Sequence, residues 1–237
     1  MQEEDDDELG RVTLGHLRGA EAMCRRKLAR EHAGLRGRWN PSPRYAVSNR
    51  LVEDARLAHA ELRVARATDF PSPSDLLLEQ QRVYRAAAGG YVALFGARPA
   101  RAVTVDAWET ELPDLAVRLV GSLGLALETA DGSPELRTVR LGVAGYRPLI
   151  DDVERRVIVV RSAAWVGARP LRLVVVDLLA GELVEEQLDV AAALPEALDW
   201  VAARVAVVKE RAVDPVPKAG SDCRGCGFIP GCRAHEG

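Results

Sequence analysis

Three of the four cysteines in this 237-residue chain, Cys223, Cys226 and Cys232, fall within the ten-residue stretch CRGCGFIPGC near the end, and the fourth, Cys24, stands near the beginning. In a reducing compartment, thiols spaced this closely suit metal ligation better than disulfide pairing. The spacing C-x2-C-x5-C supplies three donors, and a closed metal site needs a fourth. His235 would complete a local tetrahedral zinc site of three cysteines and one histidine. Cys24 would instead complete a four-cysteine set suited to a 4Fe-4S cluster, tying the two ends of the chain together across 198 intervening residues. Such a closure restrains the unfolded chain by several kcal/mol in the loop-entropy picture developed for disulfides.

Length and composition bound the rest. At 237 residues and 48% hydrophobic content the chain can bury one substantial core. No run approaches the roughly 18 consecutive apolar residues of a membrane span, and the opening MQEEDDDELG lacks the basic-then-apolar pattern of a signal peptide. A cytoplasmic protein without a membrane partner is therefore expected. The net charge of -3 conceals an asymmetry, because six acids lie in residues 3–8, leaving 32 basic against 29 acidic residues elsewhere. Residues 1–10 read as an acidic, disordered, solvating arm. Residues 18–66 hold eleven Arg and one Lys against five acids, a charge balance that permits contact with DNA or RNA. Arg25, Arg26, Arg36 and Arg38 are the candidate phosphate contacts, and Trp39, beside Asn40 and Pro41, is a candidate base-stacking side chain.

Periodicity divides residues 11–237, read as one domain, into a helical part (11–100), a sheet core with helices (101–212) and a cysteine segment (213–237). Thr13 is placed to cap a helix whose apolar positions Leu14, Leu17, Ala20, Met23, Cys24 and Leu28 recur at helical spacing, which puts Cys24 inside that helix. Further helices are expected from about Ser48 to Ala67 and up to Phe95. From residue 102 the period changes, and AVTVDAW, LAVRLVGSLGLALE and LRTVRLGV read as strands, the last two joined by the turn ADGS. PLRLVVVDLL and ELVEEQLDV flank Ala180-Gly181 as a hairpin. DDVERRVIVVRSAAWVG reads as a helix, its acidic opening being a helix N-terminal charge bias, and Asp189 caps a long final helix to about Arg211. The order predicts an α/β protein with a central mixed sheet flanked by helices.

A cysteine late in an N-terminal helix, an α/β domain, a long helix and a proline-containing approach to C-x2-C-x5-C resemble the iron-sulfur PD-(D/E)XK nucleases, a group that includes RecB-like exonucleases, the AddB nuclease domain and the CRISPR-adaptation nucleases. The likeness runs from VTLGHLRGAEAMCRR to PVPKAGSDCRGCGFIPGC. It implies a restriction-endonuclease-like sheet and a 4Fe-4S cluster on Cys24, Cys223, Cys226 and Cys232, with His235 a spare residue. It also implies a role in DNA repair, recombination or defence.

In these nucleases an Asp on one strand and an Asp or Glu on the next hold Mg²⁺ or Mn²⁺, and a Lys two residues on assists the nucleophile; hard divalent ions require such oxygen ligands. Here the matching positions are Gly124, Thr138 and Arg140. A His that the family carries on an early helix corresponds to His59, and the family's Gln-and-Tyr helix corresponds to VERRVIVVRSAAW. Glu128, paired with Glu135 or Asp131, could form a displaced acidic site for an active, divalent-metal-dependent nuclease. The substitutions favour a catalytically degenerate relative that binds nucleic acid or a protein partner; a non-enzymatic zinc protein is the remaining alternative.

Overall fold

The computed structural model describes residues 9–21, 23–33, 43–105, 109–121, 123–142 and 148–213. In chain order the elements are β1 (Gly10–Thr13), α1 (Leu14–Gly19), α2 (Arg25–His32), α3 (Pro43–Ala58), α4 (Leu78–Phe95), β2 (Ala100–Ala102), β3 (Glu109–Leu112), β4 (Val117–Val120), β5 (Leu125–Thr129), β6 (Pro134–Arg140), α5 (Asp152–Val166), β7 (Leu171–Asp177), β8 (Glu182–Leu188) and α6 (Val190–Val213). The class is mixed α/β, as the periodicity predicts, but with two mixed sheets rather than one. Contacts group the chain into two compact units, one from residues 1–40, 108–122 and 196–237, the other from residues 41–107 and 123–195.

The first unit holds a three-stranded sheet of order β1-β4-β3, with β1 parallel and β3 antiparallel to β4. Val12, Val117 and Leu119 are buried on it, and Leu28 of α2 is buried in the same unit. Thr13 caps α1 as expected. Its Oγ1 accepts from the His16 amide at 3.2 Å, and the His16 ring accepts in return from the Thr13 amide at 3.3 Å. The helix is short, however, ending at Gly19, and Cys24 is the extended N-cap of α2 rather than a residue inside one long helix. Two glycines in six residues, Gly15 and Gly19, weaken α1 enough for the chain to turn before α2 begins. Within α6, Val201, Val205 and Val208 form the buried stripe, and Asp189 accepts the Ala192 amide at 3.0 Å, the cap expected for this helix.

The second unit is a five-stranded sheet of order β2-β5-β6-β7-β8, antiparallel except where β6 and β7 run parallel across the α5 crossover. The central strand β7, LRLVVVD, is buried at all but one position, whereas the edge strand β8 carries Glu182, Glu185 and Glu186. One sheet face, with Leu125, Leu127, Val174 and Val176, packs in a core with Leu51 and Ala55 of α3 and Tyr84, Tyr91 and Phe95 of α4. Ion pairs place α5 on the opposite face, from Arg155 Nε to Glu186 at 2.8 Å and from Arg140 to Glu154.

Three boundaries differ from the periodic reading. The run LAVRLVGSLGLALE is divided between β4 and β5, which belong to separate sheets. Gly121 and Gly124, at φ of +133° and +113°, turn the chain where an extended strand would have continued. Helix α3 starts at Pro43, since proline's fixed φ suits a first helical turn, and stops at Ala58. Of the first expected strand region, AVTVDAW (residues 102–108), only Ala102 lies in a strand, at the end of β2, and residues 106–108 lie outside the described residues.

Both later hairpins form as read, with Gly181 at φ +70° in the β7–β8 turn. The buried Asp177 ends β7 and organises the turns around it. Its Oδ1 accepts from the amides of Gly142 at 2.8 Å and of Leu179 and Ala180 at 3.1 Å. Asp177→Ala, which leaves these donors without that acceptor, is expected to lower unfolding stability by about 2–4 kcal/mol in a urea titration. A loss below about 1 kcal/mol would show that solvent replaces the carboxylate.

Candidate functional site

The β5–β6 hairpin carries Gly124 and Thr138, the positions that the resemblance to PD-(D/E)XK nucleases assigns to metal-binding acids. Leu125 pairs with Arg137 in the antiparallel register, so Gly124 stands opposite Thr138. The two positions are indeed neighbours: a Cβ added at Gly124 would lie 3.2 Å from Thr138 Oγ1 and 2.5 Å from the Arg137 carbonyl oxygen. With φ at +113° as well, this backbone is adapted to glycine and hostile to an aspartate. Thr138 Oγ1 is 3.5 Å from the Leu123 carbonyl. Two residues on, the Arg140 guanidinium donates to both carboxylate oxygens of Glu154, at 2.5 and 2.6 Å. Glu154 lies in the first turn of α5, whose N-cap Asp151 accepts the Glu154 amide at 2.9 Å. Glu154 is therefore held by a permanently charged side chain of the same chain.

His59 is not beside that centre. Successive strand residues point to opposite faces, so Arg137 projects from β6 on the side away from Thr138 and Arg140. His59, just past the end of α3, meets Arg137: its Nε2 lies 3.3 Å from Arg137 Nη1 and 3.1 Å from the Tyr91 hydroxyl. Its Nδ1 lies 3.2 Å from the carbonyls of both Arg63 and Ala100. A carbonyl can only accept, so the proton sits on Nδ1 and the Tyr91 hydroxyl donates to Nε2. Burial, together with the adjacent Arg137 charge, pushes the His59 pKa below the usual histidine range.

Arg137 is fully buried. Its Nε donates to Glu135 Oε1 at 2.5 Å, its Nη1 donates to the Tyr91 hydroxyl at 2.8 Å, and its guanidinium carbon lies 4.2 Å from the Phe95 ring centre. Glu135 Oε2 is 3.5 Å from Arg172, which binds Glu185 at 2.5 Å; Glu185 also takes Arg98 at 2.5 Å. A ladder of alternating charge thus runs from the exposed sheet surface to the buried histidine. The pairing E-x-R in PELRTVR, two residues apart on one strand face, is the sequence signal for it.

The displaced-acid arrangement does not assemble. Glu135 faces the α4 side with Arg137, while Glu128 shares the Gly124 face and is ion-paired with Arg101. Asp131 turns inward on its own hairpin, accepting from Thr129 Oγ1 at 2.5 Å and the Ser133 amide at 3.1 Å. Among the described residues no group of three His, Cys, Asp or Glu side chains is arranged to hold a metal ion.

The cysteine region is described only at Cys24, which is half-buried; Cys223, Cys226 and Cys232 lie outside the described residues. Around Cys24, α6 is pinned to the segment that precedes it. Arg204 Nε donates to the Leu17 carbonyl at 2.8 Å, its terminal nitrogens hold Glu21 at 2.5 and 2.7 Å, and Arg211 donates to the Met23 carbonyl at 3.3 Å. The hydrogen bond from Arg204 brings the Glu21 carboxyl pKa down to about 2. Of the candidate nucleic-acid contacts, Arg25 opens α2 and Arg26 follows it, whereas Arg36, Arg38 and Trp39 lie outside the described residues. No family model matches the chain, and no curated protein matches it. Among the described residues no helix is long and apolar enough to cross a membrane.

Two outcomes follow from this geometry. Gly124→Asp, which places a carboxylate at the position the resemblance assigns to one, is expected to cost about 2–4 kcal/mol of stability because of the φ of +113° and the close carbonyl; a neutral result in urea denaturation would mean the hairpin readily rearranges. For His59, a folded pKa below the unfolded value of about 6.5 means that its contribution is complete above that pH and is lost as the pH falls below it. The urea midpoint should decline between about pH 7 and pH 5, and His59→Gln should flatten that decline. An identical slope in the variant would assign the pH dependence to other groups.

Proposed function

We propose that this chain is a catalytically degenerate iron-sulfur protein of the PD-(D/E)XK nuclease type, serving as a nucleic-acid-binding or partner-binding module, in the setting of DNA repair, recombination or defence. The observation that carries the loss of catalysis is the hairpin of β5 and β6. At the positions of the two metal-binding acids and the lysine it presents a glycine at φ +113°, a threonine and an arginine engaged by Glu154. The strand order supports the reading, since an antiparallel pair followed by a crossover helix and a parallel strand carries these three positions on one face. A bound divalent cation would need oxygen donors that Gly124 and Thr138 do not supply.

For the cluster, the supporting observation is the clamp between α6 and the Leu17–Met23 segment. It leaves the last described residue, Val213, on the helix that leads to the C-terminal cysteines, ten residues before Cys223. Ten residues span at most about 35 Å, ample to bring three thiolates to Cys24. Cys24 itself sits at the N-terminus of α2, the helix end whose partial positive charge favours an anionic ligand. When bound, the cluster supplies a covalent tie between the ends of the chain. The binding role rests on Arg25, Arg26, Lys27 and Arg30 of α2, within the basic region 18–66.

Protein purified without oxygen is expected to be brown, with iron and sulfide near 4:4, and Cys24→Ser is expected to lose both. A colourless protein carrying zinc that Cys24→Ser leaves in place would defeat the cluster assignment. The same holoprotein should bind single-stranded or double-stranded DNA, or RNA, in a salt-sensitive manner and leave it uncut with Mg²⁺ or Mn²⁺. Cleavage abolished by Glu128→Ala would overturn the degenerate reading, and loss of all salt-sensitive binding would remove the nucleic-acid half.

A further inference from the structure

His59 has no exposure to solvent, and its two ring nitrogens join four parts of the larger unit. Nδ1 donates to the carbonyls of Arg63 and Ala100, two residues that also exchange backbone hydrogen bonds at 3.2 and 3.3 Å. Nε2 accepts from the Tyr91 hydroxyl of α4 and faces Arg137 Nη1 of β6. The imidazole thus ties the segment after α3 and the edge strand β2 to α4 and β6.

A second positive charge has no counterpart in this setting. The charged and titratable groups around the ring are Arg137 and Glu135 on β6, Tyr91 on α4 and Arg63 on the segment after α3, while β2 meets it with the Ala100 carbonyl. Glu135 is already committed to Arg137, and Asp69 to Arg63 at 2.9 Å. Arg137 Nη2 is itself buried without a hydrogen-bond partner among the described residues. A proton on Nε2 would also confront two donors. Arg137 Nη1 donates to the Tyr91 hydroxyl at 2.8 Å and that hydroxyl donates to Nε2, so its own proton would lose its acceptor. The charged imidazole is stable only where it reaches water.

We propose that His59 is an acid-sensitive latch: its protonation releases the edge strand β2 and residues 59–63 from the sheet while α4, β6 and β7 stay folded. This route is the least costly way to hydrate the ring. β2 is three residues long and pairs with β5 as its one neighbouring strand in the sheet. Its charged side chain, Arg101, pairs with Glu128 where water screens the attraction. The alternatives are to move α4, 18 residues long with Tyr84, Tyr91 and Phe95 buried in the core, or β6, which is paired on both edges. Short elements with exposed hydrogen bonds open first. The strand released borders the hairpin of Gly124 and Thr138, and its departure frees the β5 edge for pairing with another extended segment.

The neutral ring belongs to the closed state and the charged ring to the open one, so the open form gains as the pH falls below about 6.5, the value of a free imidazole. Between pH 7 and pH 5 its population rises by at most about 25-fold, the ratio set by protonation of such an imidazole. Amide hydrogen exchange of the full-length holoprotein, corrected for the intrinsic effect of pH, tests the latch. The Arg63, Ala100 and Ala102 amides donate to the carbonyls of Ala100, Arg63 and His59. Their protection is expected to fall by about fivefold to 25-fold from pH 7 to pH 5, while protection across β7 holds. In His59→Gln, whose amide can donate to the carbonyls and accept from Tyr91 without titrating, the ratio should stay near one. An equal fall in β7 would make the opening global, and either no fall in the native protein or a fall that persists in His59→Gln would place the trigger elsewhere; each result overturns the proposal. Should His59→Gln not fold, the nitrogen NMR spectrum of the native ring decides. The Nδ1–H tautomer at pH 7, with titration in step with the loss of protection, supports the latch; the Nε2–H tautomer, or titration without that loss, overturns it.

Discussion

A guanidinium with no exposure to solvent is costly to leave unpaired, and in the larger unit Arg137 sets conditions that its neighbours must meet. Glu135 neutralises it, the Tyr91 hydroxyl accepts from it, the neutral face of His59 lies against it, and the Phe95 ring stacks on it. These partners come from β6, from α4 and from the turn after α3. Through Nε and Nη1 they tie α4 and the residue after α3 to β6, while Nη2 is buried without a hydrogen-bond partner among the described residues. The pair also pins register. Shifting β6 by one residue would carry Glu135 and Arg137 to the opposite face and strand both among the neighbours of α5.

The same alternation separates the Gly124 face of the hairpin from the face that packs on α3 and α4. Thr138 and Arg140 project from the face that Arg137 does not use, and the packing of α3 and α4 does not depend on their chemistry. Arg140 adds a contact of its own there: its Nη2 donates to both carboxylate oxygens of Glu154, only 12% exposed. The Glu154 carboxylate is thereby held by a cation the chain supplies, and the first turn of α5 gains an anchor on β6.

Much of this was legible in the sequence and some of it was not, for identifiable reasons. The α5 helix, both later hairpins and the caps at Thr13 and Asp189 followed from local chemistry that tertiary contacts reinforce. The helix expected through Cys24 did not form, because apolar spacing cannot register that Gly15 and Gly19 make a short helix fragile. The division of LAVRLVGSLGLALE between two sheets was hidden because glycine conformation is a backbone property that hydrophobic pattern does not carry. The neighbouring of Gly124 and Thr138 was predictable from the ADGS turn, which fixes hairpin register. The placing of His59 was not: which face of the sheet a residue reaches depends on long-range packing, and the early helix ended one residue before it. Strand polarity alternation alone, applied to PELRTVR, would have put Glu135 and Arg137 together on one face and excluded Glu135 as a partner for Glu128.

Closure of the chain ends also divides into two separable contributions. In the smaller unit Arg204 and Arg211 bring α6 against Leu17–Met23 through backbone carbonyls and Glu21. The hydrogen bonds from these charged donors to the Leu17 and Met23 carbonyls contribute on the order of 1.5–3 kcal/mol each where sheltered, whereas solvent screens the exposed Glu21 pair. They act only in the folded chain. A four-cysteine cluster would act on the unfolded chain as well, by removing the freedom of a loop of 198 intervening residues, a term that grows only logarithmically with length. Arg211 already holds α6 beside Met23, so a cluster that included Cys24 would form next to a contact the fold makes by itself. The cost of assembling such a site is therefore local, while the restraint it places on the unfolded chain is global.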